Sequence, residues 1–350
     1  MPSSETLPSI SIVIPTFNSS RTLLQCLEST FNQDYPSDKI ERIIVDGGSR
    51  DETMRIVSMF KVDLVLKNPL RTGEAGKALG VAAARNDIIL LQDSDNVLDG
   101  SGWLQLMVSP FADDSIVGAE PLSYTYRHSD SFITRYCALV GMNDPVCLYI
   151  GNYDRYSLVT RQWTGLRVEA TETQNFLNIR LTEGNVPTIG ANGFMIRRSC
   201  LQSVPVGSFL FDVDLVQELV ADGLGQFAKV KIGIVHLFAD DISTYGKKTF
   251  RRIRDYYFYS GNRMRQYRWQ SLAKRRIPFF VFSTVFVFPI ARDEPPRDPG
   301  RVRESLRRLI VHRGLPPLHK AVLRRREVAG EAGHQAAHAH RPVSQGVPAP

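Results

Sequence analysis

Cysteine is scarce in this chain. The four thiols among 350 residues are Cys26, Cys137, Cys147 and Cys200, and no two stand at the two-residue spacing of a zinc knuckle or a redox pair. A reducing, cytosolic setting is the plainer reading. Long hydrophobic runs are missing too. Nothing reaches the ~18 consecutive apolar residues of a membrane span, and the nearest candidate, IPFFVFSTVFVFPIA at 277–291, is interrupted by Pro278 and Pro289. The opening MPSSETLPSISIVIPTFN has no basic stretch ahead of an apolar one, so no secretory signal is expected and a cytoplasmic location follows. Neither GxGxxG nor GxxxxGK(S/T) occurs, which leaves a dinucleotide loop and a P-loop unsupported.

What is present is an ordinary globular composition with an uneven charge. At 43% hydrophobic and 23% charged residues, a disordered chain, a collagen-like fibre and a polytopic membrane protein are excluded. The length suits one large α/β domain or slightly more. The net charge of +7 hides a division: residues 1–246 hold 20 basic and 29 acidic side chains (−9), and residues 247–350 hold 23 and 7 (+16).

Residues 1–122 alternate short β-branched runs with helical segments, the pattern of a largely parallel sheet wound with helices. Strands are expected at 10–14, 40–46, 62–67 and 88–92, and helices at 22–33, 51–60 and 73–84, the first with Leu23, Leu24, Leu27 and Phe31 on one face. Residues 123–187 lose this rhythm and read as a long irregular stretch. Order returns with TIGANGFMIRRS at 188–199, a helix in FDVDLVQELVADG and a strand in KVKIGIVHLF.

The sharpest chemical signal is IILLQDSDN at 88–96, where an apolar strand delivers Asp93 and Asp95 to its end. Two carboxylates at a strand end suit a hard divalent cation such as Mg2+ or Mn2+, bridged to substrate phosphates. A solvated Asp/Ser turn is the plainer alternative. Asp46 ends another strand, where an acidic residue could accept a hydrogen bond from a base or ribose. Behind it, Ser49 or Asp51 could cap the next helix.

Taken in order, SIVIPTFN (11–18), IIVDGGSRDET (43–53), GEAGKALGVAAARNDIILLQDSDN (73–96), TIGANGFMIRRS (188–199), FDVDL (211–215) and GIVHLF (233–238) resemble the glycosyltransferase family 2 enzymes, over roughly residues 8–259. The resemblance implies a GT-A fold, a Rossmann-like mixed sheet flanked by helices. It also implies an inverting transfer from a nucleotide sugar. Pro15, Thr16 and Asp46 match positions that contact base and ribose, and Lys77 lies near the donor. Asp93 and Asp95 match the pair that places the metal and the diphosphate. Gly190, Ala191, Asn192 and Gly193 match a glycine-rich turn beneath the sugar and acceptor. His236 matches a late histidine that approaches the metal or diphosphate, its alternative being a histidine packed at a strand end. The base falls on Asp212 or Asp214, although the Glu that usually precedes the first is absent. An acceptor hydroxyl needs that carboxylate to take its proton; a lipid phosphate hardly does.

These readings divide the chain into a catalytic domain at 1–246, with a nucleotide-sugar half (8–122) and an acceptor half (123–246), a basic aromatic segment at 247–291, and a tail at 292–350. In KKTFRRIRDYYFYSGNRMRQYRWQSLAKRR, 11 basic residues accompany one acid, and Phe250, Ile253, Tyr257 and Phe258 form an apolar stripe. This is a C-terminal amphipathic extension suited to peripheral contact with the cytoplasmic face of a membrane; no nucleic-acid partner is expected. The tail, rich in Arg, Pro, Ala, Gly and His, reads as disordered or as the product of a shifted reading frame. The expected partners are a UDP- or GDP-sugar donor and an envelope-glycan or polyprenyl-linked lipid acceptor. A sugar-nucleotide pyrophosphorylase and a non-catalytic sugar-nucleotide binding protein are the alternatives.

Overall fold

In the computed structural model, which describes residues 7–202, 207–261 and 266–267, the expected alternation fills the first part of the chain. It runs β1 (Ile10–Thr16), α1 (Leu23–Phe31), β2 (Ile40–Asp46), α2 (Thr53–Val57), β3 (Leu64–Lys67), α3 (Gly73–Ala83), β4 (Ile88–Leu91). Every residue of β1, β2 and β4 is buried, as strands covered on both faces should be, including Glu41, Arg42 and Asp46 of β2. Successive side chains enter opposite cores. Ile10, Ile12 and Ile14 pack with Leu23, Leu27 and Met107, whereas Val13, Ile43 and Val45 pack with Ala78, Val81, Leu215 and Leu219. Thr72 starts α3 by accepting the Ala75 N–H on its side chain. The helix then lies so close to the sheet that a Cβ on Gly80 would come within 2.2 Å of Val13 Cγ1.

The rest of the chain completes a mixed sheet. It continues as β5 (Asn96–Leu98), α4 (Trp103–Val108), β6 (Gly118–Tyr124), α5 (Phe132–Val140), α6 (Pro145–Ile150), β7 (Glu169–Glu172), β8 (Phe176–Arg180), β9 (Phe194–Arg197), α7 (Asp212–Ala221), β10 (Gln226–His236) and α8 (Ile242–Gly261). The strand order is β3-β2-β1-β4-β9-β6-β10-β8-β7, with β5 also paired to β10. Strands β2 and β4 flank β1 in parallel, so the chain reverses its direction of winding between β1 and β4. Such a switch point opens a crevice at the carboxyl ends of the strands. Strand β9 is antiparallel to β4, pairing Phe194 with Leu91, so the residues just before β9 come to the same edge as those just after β4. His236, the last residue of β10, pairs with Asn96 at that edge.

Three expectations need correction. Residues 123–187 are not one irregular stretch: α5, α6, β7 and β8 lie there. The signals for α5 are visible in hindsight, with Ser131 accepting the Thr134 N–H, Gly141 closing the helix in the left-handed region (φ 72°), and Ile133, Tyr136, Cys137 and Val140 buried at helical spacing. Leu24 is not on the buried face of α1; Cys26 and Thr30 are. At the start of α2, Ser49 bonds Asp46 and Asn18 rather than the helix, and Glu52 makes no side-chain cap, while Asp51 accepts the N–H of Thr53, the first helical residue, and that of Ser20. The apolar segment 277–291 and the tail 292–350 lie outside the described residues, among which no helix is long and apolar enough to cross a membrane.

Candidate active site

Lys77, from α3, points into the crevice between two carboxylates. Its Nζ lies 3.1 Å from Asp93 Oδ1, just past β4, and 2.7 Å from Asp212 Oδ2, at the first turn of α7. Burial opposes the lysine charge, but Asp212 and Asp93 outweigh it and hold the ammonium well above its ordinary pKa. One ammonium cannot neutralise two carboxylates. Burial therefore pushes the Asp212 carboxyl up to about 6, against the pull of Lys77 and with the help of Asp93 repulsion. Asp212 Oδ1 is buried without a hydrogen-bond partner. Asp214 is placed differently. It is buried, and its Oδ1 accepts the backbone N–H groups of Gln266 and of Tyr267, the latter at 2.9 Å.

Asp95 has a side-chain nitrogen against each of its oxygens. His236 Nε2 is 3.3 Å from Oδ1 and Lys248 Nζ, from α8, is 3.2 Å from Oδ2. Burial works against ionisation of Asp95, yet His236 and Lys248 hold its carboxyl below the usual carboxylate range. The other ring nitrogen, Nδ1, is 3.0 Å from Asn143 Oδ1, and Asn143 donates its amide to the Tyr124 hydroxyl. Asn143 is thereby turned to accept from Nδ1–H. A ring that spends Nδ1–H on an amide oxygen keeps Nε2 as a donor atom beside Asp95, as metal-ligating histidines do.

Among the described residues no group of three His, Cys, Asp or Glu side chains is placed to hold a metal ion. Partial shells are what Mg2+ and Mn2+ use when substrate phosphates supply the remaining oxygens. Asp95 and His236 Nε2, 3.3 Å apart, form a partial pair of that kind.

The turn at 190–193 lies beneath the same edge. Gly190, Asn192 and Gly193 have φ values of 127°, 53° and 86°, so three of four residues are in left-handed backbone. A Cβ on Gly190 would stand 2.5 Å from the carbonyl oxygen of Asp212, which makes glycine obligatory where the turn meets α7. Asn192 donates to the Tyr124 hydroxyl (3.0 Å) and accepts from Asn96 (3.1 Å), whose own Oδ1 accepts the Asp93 N–H. The carbonyl of Ala191 accepts from Arg155.

The expected base and ribose positions sit across the crevice. Thr16 ends β1, and its buried Oγ1 has no partner. Pro15 packs beneath Gly76 of α3. Asp46, opposite Thr16 in the β1–β2 register, accepts from Gly48 N–H, Ser49 N–H and the Ser49 hydroxyl, so its oxygens already hold its own turn.

Residues 11–136 match the family model described as Glycosyl transferase family 2. Over that stretch the chain is similar to the family 2 glycosyltransferases. The match covers β1 to α5 and includes Thr16, Asp46, Lys77, Asp93 and Asp95. The chain is 26% identical over 144 residues to the glycosyltransferase AglE of Haloferax volcanii, covering 39% of this chain and 47% of that one. Over 88 residues it is 50% identical to the dolichyl N-acetyl-alpha-D-glucosaminyl phosphate 3-beta-D-2,3-diacetamido-2,3-dideoxy-beta-D-glucuronosyltransferase of Methanococcus voltae, covering 23% and 27%. The chain thus spans less than half the length of these curated relatives. Among solved structures, the mannosyltransferase PcManGT of Pyrobaculum calidifontis, in complex with GDP-Man and Mn2+, is similar at 16% identity with a TM-score of 0.48, over 94% of this chain and 82% of that one.

Four charged residues at or beneath this edge carry no motif in the sequence. Lys248 was visible only as one of many basic residues. Glu120, Arg155 and Lys229 are wholly buried. A glutamate in GAEPL and a lysine in FAKV, each within an apolar strand, were the available signals.

Proposed function

We propose that the protein is an inverting glycosyltransferase that moves a sugar from a UDP- or GDP-sugar to an envelope glycan or a polyprenyl-linked lipid. The observation that carries this reading is the pairing of Asp212 and Asp93 on the single ammonium of Lys77, at the edge where Asp95 and His236 meet. Thr16 Oγ1 and Asp212 Oδ1 are the two buried oxygens there that lack partners, and a bound donor and acceptor hydroxyl would supply them. Thr16 and Asp46 are assigned to the nucleoside end, and Lys77 to the diphosphate. Asp212 takes the acceptor hydroxyl proton as that oxygen attacks the anomeric carbon from the face opposite the leaving diphosphate. The turn at 190–193 supports the sugar between them.

Asp95, His236 and Asp93 would hold a divalent ion, which when bound neutralises charge on the departing diphosphate. The names of the relatives, a dolichyl-phosphate-sugar transferase and poly(ribitol-phosphate) transferases, support an envelope or lipid-linked acceptor. The basic face of α8 is assigned to a membrane surface carrying that acceptor.

The test is donor turnover. A panel of UDP- and GDP-sugars is incubated with the protein and Mn2+, and nucleotide release is followed with and without lipid or glycan acceptors. Asp93→Ala and Asp95→Ala are expected to abolish release. Nucleotide-sugar binding without release under every acceptor would favour a binding protein instead.

A further inference from the structure

Beneath the turn at 190–193 lies a cluster of four ionisable side chains, Glu120, Asp154, Arg155 and Lys229, three of them wholly inaccessible to solvent. Glu120 Oε2 accepts from Lys229 (2.6 Å) and pairs with Arg155; Arg155 also pairs with Asp154, and Lys229 donates to the Asp154 carbonyl. The charges balance within the cluster. Burial nevertheless pushes the Glu120 carboxyl up and the Lys229 ammonium down to about 8, so desolvation outweighs pairing in both. Apolar residues of similar volume usually serve stability as well or better. The cluster is therefore not explained by stability alone.

Its outward hydrogen bonds are specific. Glu120 Oε1 accepts the Gly190 N–H at 2.9 Å, and Arg155 donates to the carbonyls of Ala191 (2.9 Å) and Asn192 (3.2 Å). Three consecutive residues of a left-handed turn are thus held by one carboxylate and one guanidinium. From that turn, Gly190 abuts the backbone of Asp212, Asn192 reaches the Asp93 N–H through Asn96, and Asn192 reaches His236 through Tyr124 and Asn143.

We propose that Glu120 and Arg155 are positioning residues for the transfer reaction: through the turn at 190–193 they fix where Asp212 stands relative to Asp93 and His236. This rests on the functional reading given above. A single-point ammonium could not replace Arg155, because its planar fork spans two carbonyls and two carboxylates at once. The nucleoside end of the site, at Thr16 and Asp46, receives nothing from the cluster.

Two charge-balanced double variants of the full chain separate positioning from mere packing. Glu120→Leu/Lys229→Met removes the acceptor of Gly190, while Glu120→Gln/Lys229→Met keeps it. Both are expected to fold with thermal midpoints near that of the unaltered protein. The leucine variant should lose about 100-fold in kcat, the scale of a small misplacement of reacting groups, with its affinity for UDP or GDP changed less than about threefold. The glutamine variant should stay within about tenfold of the starting kcat. Equal kcat in the two variants would overturn the proposal. Hydrogen exchange provides a readout independent of turnover: peptides covering 188–197 and 209–216 should lose protection about tenfold in the leucine variant only. Unchanged exchange there overturns the positioning role even if the protein turns over no donor, an outcome that would separately refute the functional reading.

Discussion

At the scale of single residues, Asp212 and Asp214 stand two positions apart on α7 and have separate tasks. Asp212 shares one ammonium with Asp93 and keeps one buried oxygen without a hydrogen-bond partner, whereas Asp214 is spent on the N–H groups of residues 266 and 267. With its carboxyl raised from 3.8 to about 6, Asp212 is protonated at lower pH and cannot accept the hydroxyl proton, so kcat/KM should fall as pH drops through that value. The linkage has the opposite sign for stability: a carboxyl whose folded pKa is raised costs stability as pH rises through it. Asp212→Asn should therefore lower kcat on the order of 10²–10⁴-fold, with no loss of thermal midpoint above that pH. A variant with full activity and a lowered midpoint would make Asp212 structural. Asp214→Asn should do the reverse, costing about 1–3 kcal/mol in urea unfolding and leaving kcat within a few-fold.

At the scale of elements, α8 brings a cation to the Asp95 carboxylate. Lys248 donates to Asp95 and to the Phe238 carbonyl, and its ammonium lies 4.7 Å from the centre of the Phe238 ring. If Asp95 holds a divalent ion as proposed, an ion arriving alone would have to displace that ammonium, while one arriving with a diphosphate would offer it a new anion. Lys248→Met is therefore expected to tighten Mn2+ binding without nucleotide and to weaken UDP or GDP binding with Mn2+, both read by calorimetry. Unchanged Mn2+ affinity would remove the competition. This pairing also marks the limit of what the sequence conveys. Strands β1, β2 and β4 are legible because burial on both faces enriches each in Ile, Val and Leu, and Asp93 and Asp95 because their chemistry is local to one strand end. Nothing local tells that β9 inserts antiparallel between β4 and β6, that three-residue β5 pairs with β10, or that Lys248 reaches Asp95 across 153 positions of chain. The aromatic and polar mixture of 123–187 hid α5 because the helix is buried around much of its circumference, so polar residues do not mark a clean outer face.

At the scale of the molecule, the division into −9 and +16 acquires a geometry. The acidic part closes around the crevice, and the basic part begins with α8 at the crevice rim. Phe250 (70% exposed), Arg254 and Phe258 (64% exposed) follow at four-residue intervals, with Arg251 beside them, so one face of α8 presents rings and guanidiniums to solvent. Rings that insert at an interface and cations that meet anionic headgroups favour a charged bilayer over a neutral one. The chain is expected to sediment with vesicles containing anionic lipid and to be released by salt, since screening shortens the reach of the guanidiniums. At about 1 kcal/mol per basic residue near such a surface, Arg251→Gln/Arg254→Gln should weaken partitioning about 30-fold. Phe250→Ser/Phe258→Ser should weaken it in neutral and anionic vesicles alike. Neither residue pair touches Asp95 or Asp212, so turnover with a water-soluble acceptor should be unchanged in both variants while turnover with a vesicle-borne acceptor falls. Equal partitioning of the unaltered protein into neutral and anionic vesicles, or none into either, would detach α8 from the membrane and leave its charge to the acceptor itself.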